Sequence, residues 1–165
     1  MLALIGCGDR SEPASTAYEH VLEFDSATVR LVTPRDTVPL SLKLAISPEQ
    51  QQLGLMERRQ LPERSGMLFV YDSAQPPDAG FWMFRTRIPL DIAFLDSAGV
   101  IRSIRAMVPC TATIPQGCPS YTPGTPYRYA LELNAGVLAR WGADTGVSRL
   151  LLEDRSGARQ QTRRP

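Results

Sequence analysis

The stretch LDIAFLDSAGVIRSI, residues 90–104, indicates the fold class most directly. Its two apolar runs, Leu90 to Leu95 and Val100 to Ile104, flank the four residues Asp96-Ser97-Ala98-Gly99. Short apolar runs on either side of a polar turn that ends in glycine are typical of a β-hairpin. The stretch therefore predicts two neighbouring antiparallel strands.

The same β pattern continues on both sides of this hairpin. Apolar and polar residues alternate from Val38 to Ile46 and from Tyr127 to Leu133, as they do in half-buried strands. A last short strand is predicted from Val147 to Leu152. The 14 prolines and 12 glycines indicate many turns between short elements, which also favours β structure.

Two short helices interrupt the strands. Ser47-Pro48-Glu49-Gln50 combines an N-cap, a proline at the first helical position and a capping-box glutamine, so a helix is predicted from there to about Met56. Asn134 is the candidate cap of a second short helix, which ends at Gly142.

The 165 residues are enough for one domain with a sizeable core. The pattern of elements predicts a mainly β, single-domain antiparallel sandwich or partly closed barrel with one or two short helices. Residues 19–153 are assigned to this domain. Residues 1–18 are interpreted as a truncated lipoprotein signal and tether, and residues 154–165 as a disordered tail.

The composition argues against several functions. A net charge of +1 gives no electrostatic basis for binding nucleic acid. His20 is the single histidine, so any histidine-based catalytic or zinc centre would have to be built around it alone. The methionines lack the MxM or MxxM spacing of a Cu(I) site and are interpreted as core residues. No metal and no cofactor are predicted.

The N-terminal residues Leu4-Ile5-Gly6-Cys7 match a lipobox, in which small and apolar residues precede a cysteine that becomes lipid-modified. A polar stretch from Gly8 to Thr16 follows, as a tether should. No basic residue precedes the apolar run, and the run is short for a signal peptide. Either the true start codon lies further upstream, or the signal is truncated, or Cys7 stands there by chance. The lipobox predicts an exported lipoprotein at the periplasmic or extracellular face of a bacterial membrane.

The other two cysteines, Cys110 and Cys118, enclose seven residues that include Pro115 and Gly117. In an oxidising compartment this spacing predicts a disulfide, and the small ring should contribute about 2–3 kcal/mol through loop entropy. A metal site is the weaker alternative, because the spacing is not that of zinc ligands.

A series of short motifs extends through most of the chain. In order, they are Gly54-Leu55-Met56-x-Arg58, Leu61, Gly66-Met67-Leu68-Phe69, Phe81-Trp82-Met83, Thr86, Pro89-Leu90-Asp91-Ile92, Phe94, Pro109-Cys110, Cys118-Pro119 and Leu131-Glu132-x-Asn134-Ala135-Gly136. Together they resemble the domain of unknown function 192 (DUF 192) family. The resemblance implies a mainly β, jelly-roll-like sandwich with one or two small helices. It also implies an exported or lipid-anchored protein, and it brings no established activity.

One position range departs from the family pattern. Members commonly read Trp-Met-Lys-Asn-Thr where this chain reads Trp82-Met83-Phe84-Arg85-Thr86. If the two changed positions, Phe84 and Arg85, touch a ligand, the ligand of this protein is expected to differ in chemistry from the ligand of the members with Lys-Asn.

Residues 81–86, FWMFRT, are interpreted as a strand that leaves an apolar layer for a polar rim. Alternation along such a strand points Phe81 and Met83 into the core, and Trp82 and Phe84 then form the wall of a shallow cleft. The alternative is a strand buried on both faces.

Two acids stand among apolar neighbours. Asp91 is expected to pair with Arg85 or Arg87, because an unpaired acid is costly in a buried strand. Glu132 lies in a similar apolar context between Leu131 and Leu133. If the two acids converge, they could support acid–base or glycosidase chemistry, which makes them the candidate catalytic residues.

The candidate ligand-binding residues are Trp82, Arg85, Thr86, Asp91 and Glu132. No nucleophile–base pair or phosphate loop is evident in the sequence. The first hypothesis is therefore a lipid-anchored cell-envelope β domain that binds a small molecule or an envelope partner without turnover. The alternatives are a carboxylate-dependent hydrolase of envelope or extracellular glycan, and a structural adaptor that uses the Arg-rich tail or an exposed aromatic face.

Overall fold

The computed structural model describes residues 22–152. The elements are β1 Ser26–Val32, β2 Thr37–Ala45, α1 Pro48–Leu53, β3 Ser65–Gln75, β4 Leu90–Leu95, β5 Ile101–Met107, a 3-10 turn Pro115–Gly117, β6 Tyr127–Asn134, α2 Val137–Arg140 and β7 Arg149–Leu152. The signal and tether assigned to residues 1–18, with Cys7, lie outside the described residues, as do His20 and the tail assigned to residues 154–165.

The strands form one seven-stranded sheet in the order β5-β4-β6-β3-β2-β1-β7. The sheet curls until its edges meet: the N–H of Ile101 donates to the carbonyl of Ser148, and the N–H of Leu150 donates to the carbonyl of Gly99, both at 2.9 Å. The prediction of a mainly β, single-domain, partly closed barrel with short helices is confirmed. One pairing departs from the antiparallel expectation, because the chain crosses over through α1 and β3 then pairs in parallel with β2.

The two faces of the sheet carry two separate apolar cores. The inner core fills the curl and includes Leu40 and Leu131, packed with residues of α2. The outer core includes Met67 and Ile92 and lies under the long connections between β3 and β4 and between β5 and β6. The sheet is therefore covered on both faces, the outer one mostly by loops.

The hairpin of residues 90–104 is present as predicted, with β4 and β5 paired antiparallel. Its turn is fixed by Asp96, whose carboxylate accepts hydrogen bonds from the N–H groups of Ala98 (2.9 Å) and Val100 (3.0 Å). Gly99 has φ 76°, a left-handed conformation that glycine adopts without strain. The polar turn residues thus determine where the strands end.

The first helix begins at its predicted cap. The Ser47 hydroxyl accepts from the N–H of Gln50 (3.3 Å), and the Gln50 side chain accepts from the N–H of Ser47 (2.9 Å), which completes the capping box. The helix ends at Leu53, before the expected Met56, because Gly54 turns the chain at φ 50°.

The second helix does not use its predicted cap. The N-cap of α2 is Gly136, and the Asn134 side chain donates instead to the carbonyl of Leu61 (2.8 Å). Asn134 thus ties the end of β6 to the segment that precedes β3. The prediction of Asn134 as the helix cap is wrong, because tertiary contact outcompetes the local bond.

The segment 81–86 is not a strand. It lies in the connection between β3 and β4, and only Phe81 and Phe84 form isolated bridges, both to the connection between β5 and β6. Arg85 has φ 55°, in the left-handed region, so the extended backbone cannot continue through it.

The predicted disulfide is present and steadies this segment. Cys110 and Cys118 are bonded, with their Cα atoms 5.7 Å apart. The N–H of Cys110 donates to the carbonyl of Met83 (3.3 Å), and Phe81 and Tyr121 exchange two backbone hydrogen bonds of 3.1 and 2.7 Å. The disulfide-closed connection therefore holds residues 81–84 on the outer face of the sheet.

Candidate functional site

A cavity of about 150 Å³ opens on the outer face, between the end of α1, strand β3 and the segment 81–86. It is lined by Gln51, Gln52, Leu53, Gly54, Leu55, Met56, Phe69, Tyr71, Gly80, Phe81, Trp82, Thr86 and Glu132. The structure thus brings together three of the predicted ligand-binding residues, Trp82, Thr86 and Glu132. The other two, Arg85 and Asp91, do not line this cavity.

Glu132 supplies the acidic group of the cavity. Strand β6 runs between β3 and β4, so Glu132 lies between Met67 and Ile92 and is only 4% exposed. Within residues 22–152 its carboxyl group has no hydrogen-bond or ion-pair partner, and burial raises its pKa to about 8. At pH 7 the group is therefore a neutral carboxylic acid, which can donate one hydrogen bond and accept others.

Aromatic rings form much of the cavity wall. The ring of Phe81 packs edge-to-face on Phe69, with centroids 4.9 Å apart. The ring of Tyr71 packs in the same manner on Tyr127, at 5.6 Å. Burial raises the pKa of the Tyr71 hydroxyl, and the neighbouring Tyr127 and Glu132 raise it further. The cavity therefore combines an aromatic wall with one acidic group.

The segment 81–86 directs its side chains largely as predicted, although it is no strand. Met83 is fully buried in the outer core, and Phe81 is half-buried against it. Trp82 is 45% exposed and lines the cavity, so the alternative of a segment buried on both faces is wrong. Phe84 is half-buried but does not line the cavity, which contradicts its predicted place beside Trp82.

The predicted ion pair of Arg85 or Arg87 with Asp91 is wrong. Both arginines bind Glu57 instead: Arg85 Nε lies 2.8 Å from Glu57 Oε1, and Arg87 Nε lies 2.6 Å from Oε2. Hydrogen bonds from Arg87 and Arg85 lower the pKa of Glu57. The N–H of Glu57 also donates to the carbonyl of Arg85 (2.8 Å). These exposed contacts join the segment that carries Trp82 to the chain that follows α1.

Asp91 and Glu132 point to opposite faces of the sheet. In the ladder between β4 and β6, Asp91 is opposite Leu133, whereas its neighbour Ile92 is opposite Glu132. Paired residues share a face and successive residues alternate, so the two acids are separated by the sheet itself. The convergent carboxylate pair that acid–base or glycosidase chemistry requires does not form.

Asp91 instead holds the start of α2. Its carboxylate accepts hydrogen bonds from the N–H groups of Gly136 (2.8 Å) and Leu138 (3.4 Å). Burial raises the pKa of Asp91, and these two backbone bonds oppose the rise. The position supplies the side-chain cap that α2 lacks locally, which is a structural role.

The family profile of DUF192, described as Uncharacterized ACR, matches residues 30–149. The chain belongs to the DUF192 family. A crystal structure of a suspected transcription regulator from Sinorhizobium meliloti has 36% identity and a TM-score of 0.69, over 79% of this chain and 96% of that one. A protein of unknown function from Novosphingobium aromaticivorans has 26% identity and a TM-score of 0.66, over 88% and 98%. No curated protein matches.

The DUF192 pattern accounts for the backbone at Arg85. The family resemblance places asparagine at this position, and asparagine enters the left-handed region more readily than other non-glycine residues. Arg85 keeps a left-handed backbone at φ 55°. This DUF192 protein therefore has the backbone that asparagine favours with a different side chain, one directed to Glu57 outside the cavity.

Sequence reasoning missed the half of the DUF192 cavity that α1 and β3 contribute. The Gln51 side chain donates to the carbonyl of Val70 (2.9 Å) and ties the helix to β3. A Cβ on Gly54 would lie 3.3 Å from the Phe69 ring, so glycine permits this close approach. The available signal is Gly54, a glycine of the family motif directly after a capped helix.

Two further features of the described part of the chain bear on function. Residues 22–152 contain no group of three or more histidine, cysteine, aspartate or glutamate side chains that could hold a metal ion. No helix within the same residues is long and apolar enough to cross a membrane.

Proposed function

We propose that this DUF192 protein is a lipid-anchored cell-envelope protein whose β domain binds a small ligand in the cavity beside Glu132, without turnover. One observation carries the proposal. Glu132 is only 4% exposed and has no hydrogen-bond or ion-pair partner within residues 22–152, and it lines a cavity that also carries the exposed Trp82. A carboxyl group that the protein leaves unpaired beside an open cavity can be paired by a ligand that enters there.

The form of the cavity supports binding more than catalysis. Small-molecule sites are concave, mostly apolar and aromatic, and carry a few polar groups that orient the ligand. The polar side chains here are Gln51, Gln52, Thr86, Glu132 and the hydroxyl of Tyr71, among aromatic and aliphatic neighbours. The hydrolase alternative requires Asp91 beside Glu132, and the sheet separates them.

The location in the envelope is proposed from the cysteines. The lipobox at Cys7 supports a lipid anchor, and the Cys110–Cys118 disulfide supports an oxidising compartment. The net charge of +1 gives no basis for extending to this chain the regulatory role named for the Sinorhizobium meliloti protein.

The anchor is tested by expressing the gene with its own upstream start and measuring the mature mass and membrane fractionation. We expect a lipid-modified mass that begins at Cys7, and a Cys7→Ala variant that leaves the membrane fraction. A mature chain that retains Met1, or a variant that fractionates with membranes as the native protein does, would contradict the anchor.

Ligand binding is tested by native mass spectrometry of protein purified from its own envelope. We expect a bound small mass on the native protein and on Trp141→Phe, the matched control, because Trp141 packs against the inner core. Trp82→Ala should lose that mass. Equal occupancy in Trp82→Ala, or no bound mass on the native protein, would contradict binding in this cavity.

A further inference from the structure

Among residues 22–152, the side chains that line the cavity include one acid and no base. Glu132 is the single carboxylic acid of this lining, and no lysine, arginine or histidine side chain in that range lines it. Three other acids near the sheet have partners: Asp91 accepts from α2, Asp96 binds Arg102 and Glu57 binds two arginines. Because the site is buried, a cation placed beside Glu132 would interact with it more strongly than it would at the surface.

The rest of the wall favours an organic cation over a metal ion. Aromatic rings, tryptophan above all, attract cations that approach them, and Tyr71, Phe81 and Trp82 line the space. Metal ions are held mostly by clustered acidic, histidine or cysteine side chains, and residues 22–152 contain no group of three or more of these that could hold one. A cavity of about 150 Å³ holds a molecule about the size of benzene.

We infer that the cavity binds a small organic ammonium ion, with its charged nitrogen beside the Glu132 carboxylate and its carbon atoms against Trp82 and Phe81. The inference rests on the proposed ligand-binding function and names the class of ligand. Carboxylate and rings lie in one concave space, so both contacts can form at once.

Binding of this kind displaces the proton of Glu132. Strand pairing places Met67 and Ile92 beside Glu132, and Gln51 of α1 and Tyr71 of β3 line the same cavity. Only Tyr71 among these neighbours titrates, and its raised pKa keeps it neutral; the connection between β3 and β4 brings no charged side chain to the cavity. Glu132 alone therefore sets the pH dependence.

The sign of that dependence distinguishes ligand classes. Below pH of about 8 Glu132 is protonated, so the affinity for a permanent cation should rise about tenfold per pH unit up to that value and then level off. A neutral ligand that accepts the proton of the acid in a hydrogen bond should bind equally well at lower pH and lose affinity above pH 8.

The test uses the full oxidised chain and two probes of the same shape: choline, which is a permanent cation, and 3,3-dimethyl-1-butanol, its neutral isostere. Binding to native protein, Glu132→Gln and the exposed-acid control Glu63→Gln is followed by calorimetry and by amide shifts of the lining residues, at pH values below and above 8. Glutamine resembles the protonated acid, so Glu132→Gln should fold.

We expect choline to bind native protein and Glu63→Gln at least about tenfold more tightly than its isostere above pH 8, with the pH dependence given above. In Glu132→Gln the preference for choline should fall to the part that the aromatic rings supply, and it should no longer change with pH. If the isostere binds as tightly as choline to native protein, the cation inference is overturned and ligand binding stands. If neither probe shifts a lining residue, both the inference and the proposed function fail at this cavity.

Discussion

Replacing Glu132 with glutamine should remove a large pH-dependent destabilisation. The carboxyl group has a pKa of about 8 in the folded chain, against an ordinary value of 4.5 that the unfolded chain regains. Between these two values the folded state keeps a proton that the unfolded state has lost. Rising pH therefore favours unfolding, by about 1.4 kcal/mol per pH unit. The destabilisation that Glu132 causes is absent below pH 4.5 and reaches its full size above pH 8.

The expected magnitude follows from that interval. Glu132 should lower the free energy of unfolding by about 3 kcal/mol at pH 7 and by about 5 kcal/mol above pH 8, relative to its fully protonated form. Glutamine does not ionise, so the difference in unfolding free energy between native protein and Glu132→Gln isolates this one group from the other acids. This difference in unfolding free energy should grow by about 3 kcal/mol between pH 4.5 and pH 7, and by about 5 kcal/mol between pH 4.5 and values above pH 8.

The assay is urea unfolding of both proteins at several pH values from 4.5 to 8, with the disulfide oxidised. Glu63→Gln is the matched control, because Glu63 is exposed and bound to Arg140 at 2.8 Å. The difference in unfolding free energy between Glu63→Gln and native protein should change less over this pH range than the difference for Glu132→Gln. A difference for Glu132→Gln that is equally flat would refute the reasoning, since Glu132 would then ionise as easily in the folded chain as in the unfolded one.

Five further substitutions test other parts of the structure. Met83→Ala should lower the free energy of unfolding by about 2–5 kcal/mol and Trp82→Ala by less than about 1 kcal/mol in urea titrations; equal losses would mean that Trp82 is core. Cys110→Ala should cost about 2–3 kcal/mol, and an unchanged melting temperature would deny the disulfide a stabilising role. Gly66→Ala should prevent folding, because its Cβ would lie 2.2 Å from a backbone oxygen of β6, and a native far-ultraviolet circular dichroism spectrum would contradict this. Asp91→Ala should cost about 1–3 kcal/mol and speed hydrogen exchange at the start of α2, whereas unchanged exchange there would exclude the capping role.

The sequence predicts the features that nearby residues determine among themselves. The hairpin of residues 90–104 is one, because Asp96 fixes its turn within four residues. The capping box at Ser47 is another, since its two hydrogen bonds join residues three apart. The short Cys110–Cys118 ring is the third.

Elements that depend on the whole sheet were harder to predict. Strand β3, Ser65–Gln75, lies near the centre of the sheet, yet the alternation pattern does not predict it. Residues 66–69 are buried in succession, because the sheet is covered on both faces and apolar residues then need not alternate. The segment 81–86 shows the opposite error, since its strand-like composition belongs to a loop.

Prediction of the candidate site from the sequence is limited in the same way, because the site depends on contacts between distant parts of the chain. The sequence marks Asp91 and Glu132 as acids in apolar strands, but the face each occupies depends on the register of β4 against β6. Arg85 is near Asp91 in the chain, whereas its actual partner Glu57 lies 28 residues before it. No local sequence pattern predicts a contact over that separation. Trp82 was placed correctly, because the burial of its neighbour Met83 leaves it facing outward.

Alternate residues of β6 face the inner core and the outer face of the sheet, and this limits which changes in the sequence of the strand leave the fold intact. Leu131 and Leu133 belong to the inner core, whereas Glu132 between them belongs to the cavity on the outer face. Substitutions on one face share few contacts with the other, so their effects on stability should be additive and the cavity can acquire a new specificity while the barrel stays intact. An insertion or deletion of one residue in β6 would exchange the two sets of side chains and place an acid in the barrel interior. The outer-face residues of this strand can therefore change without disturbing the barrel interior, whereas the length of the strand cannot.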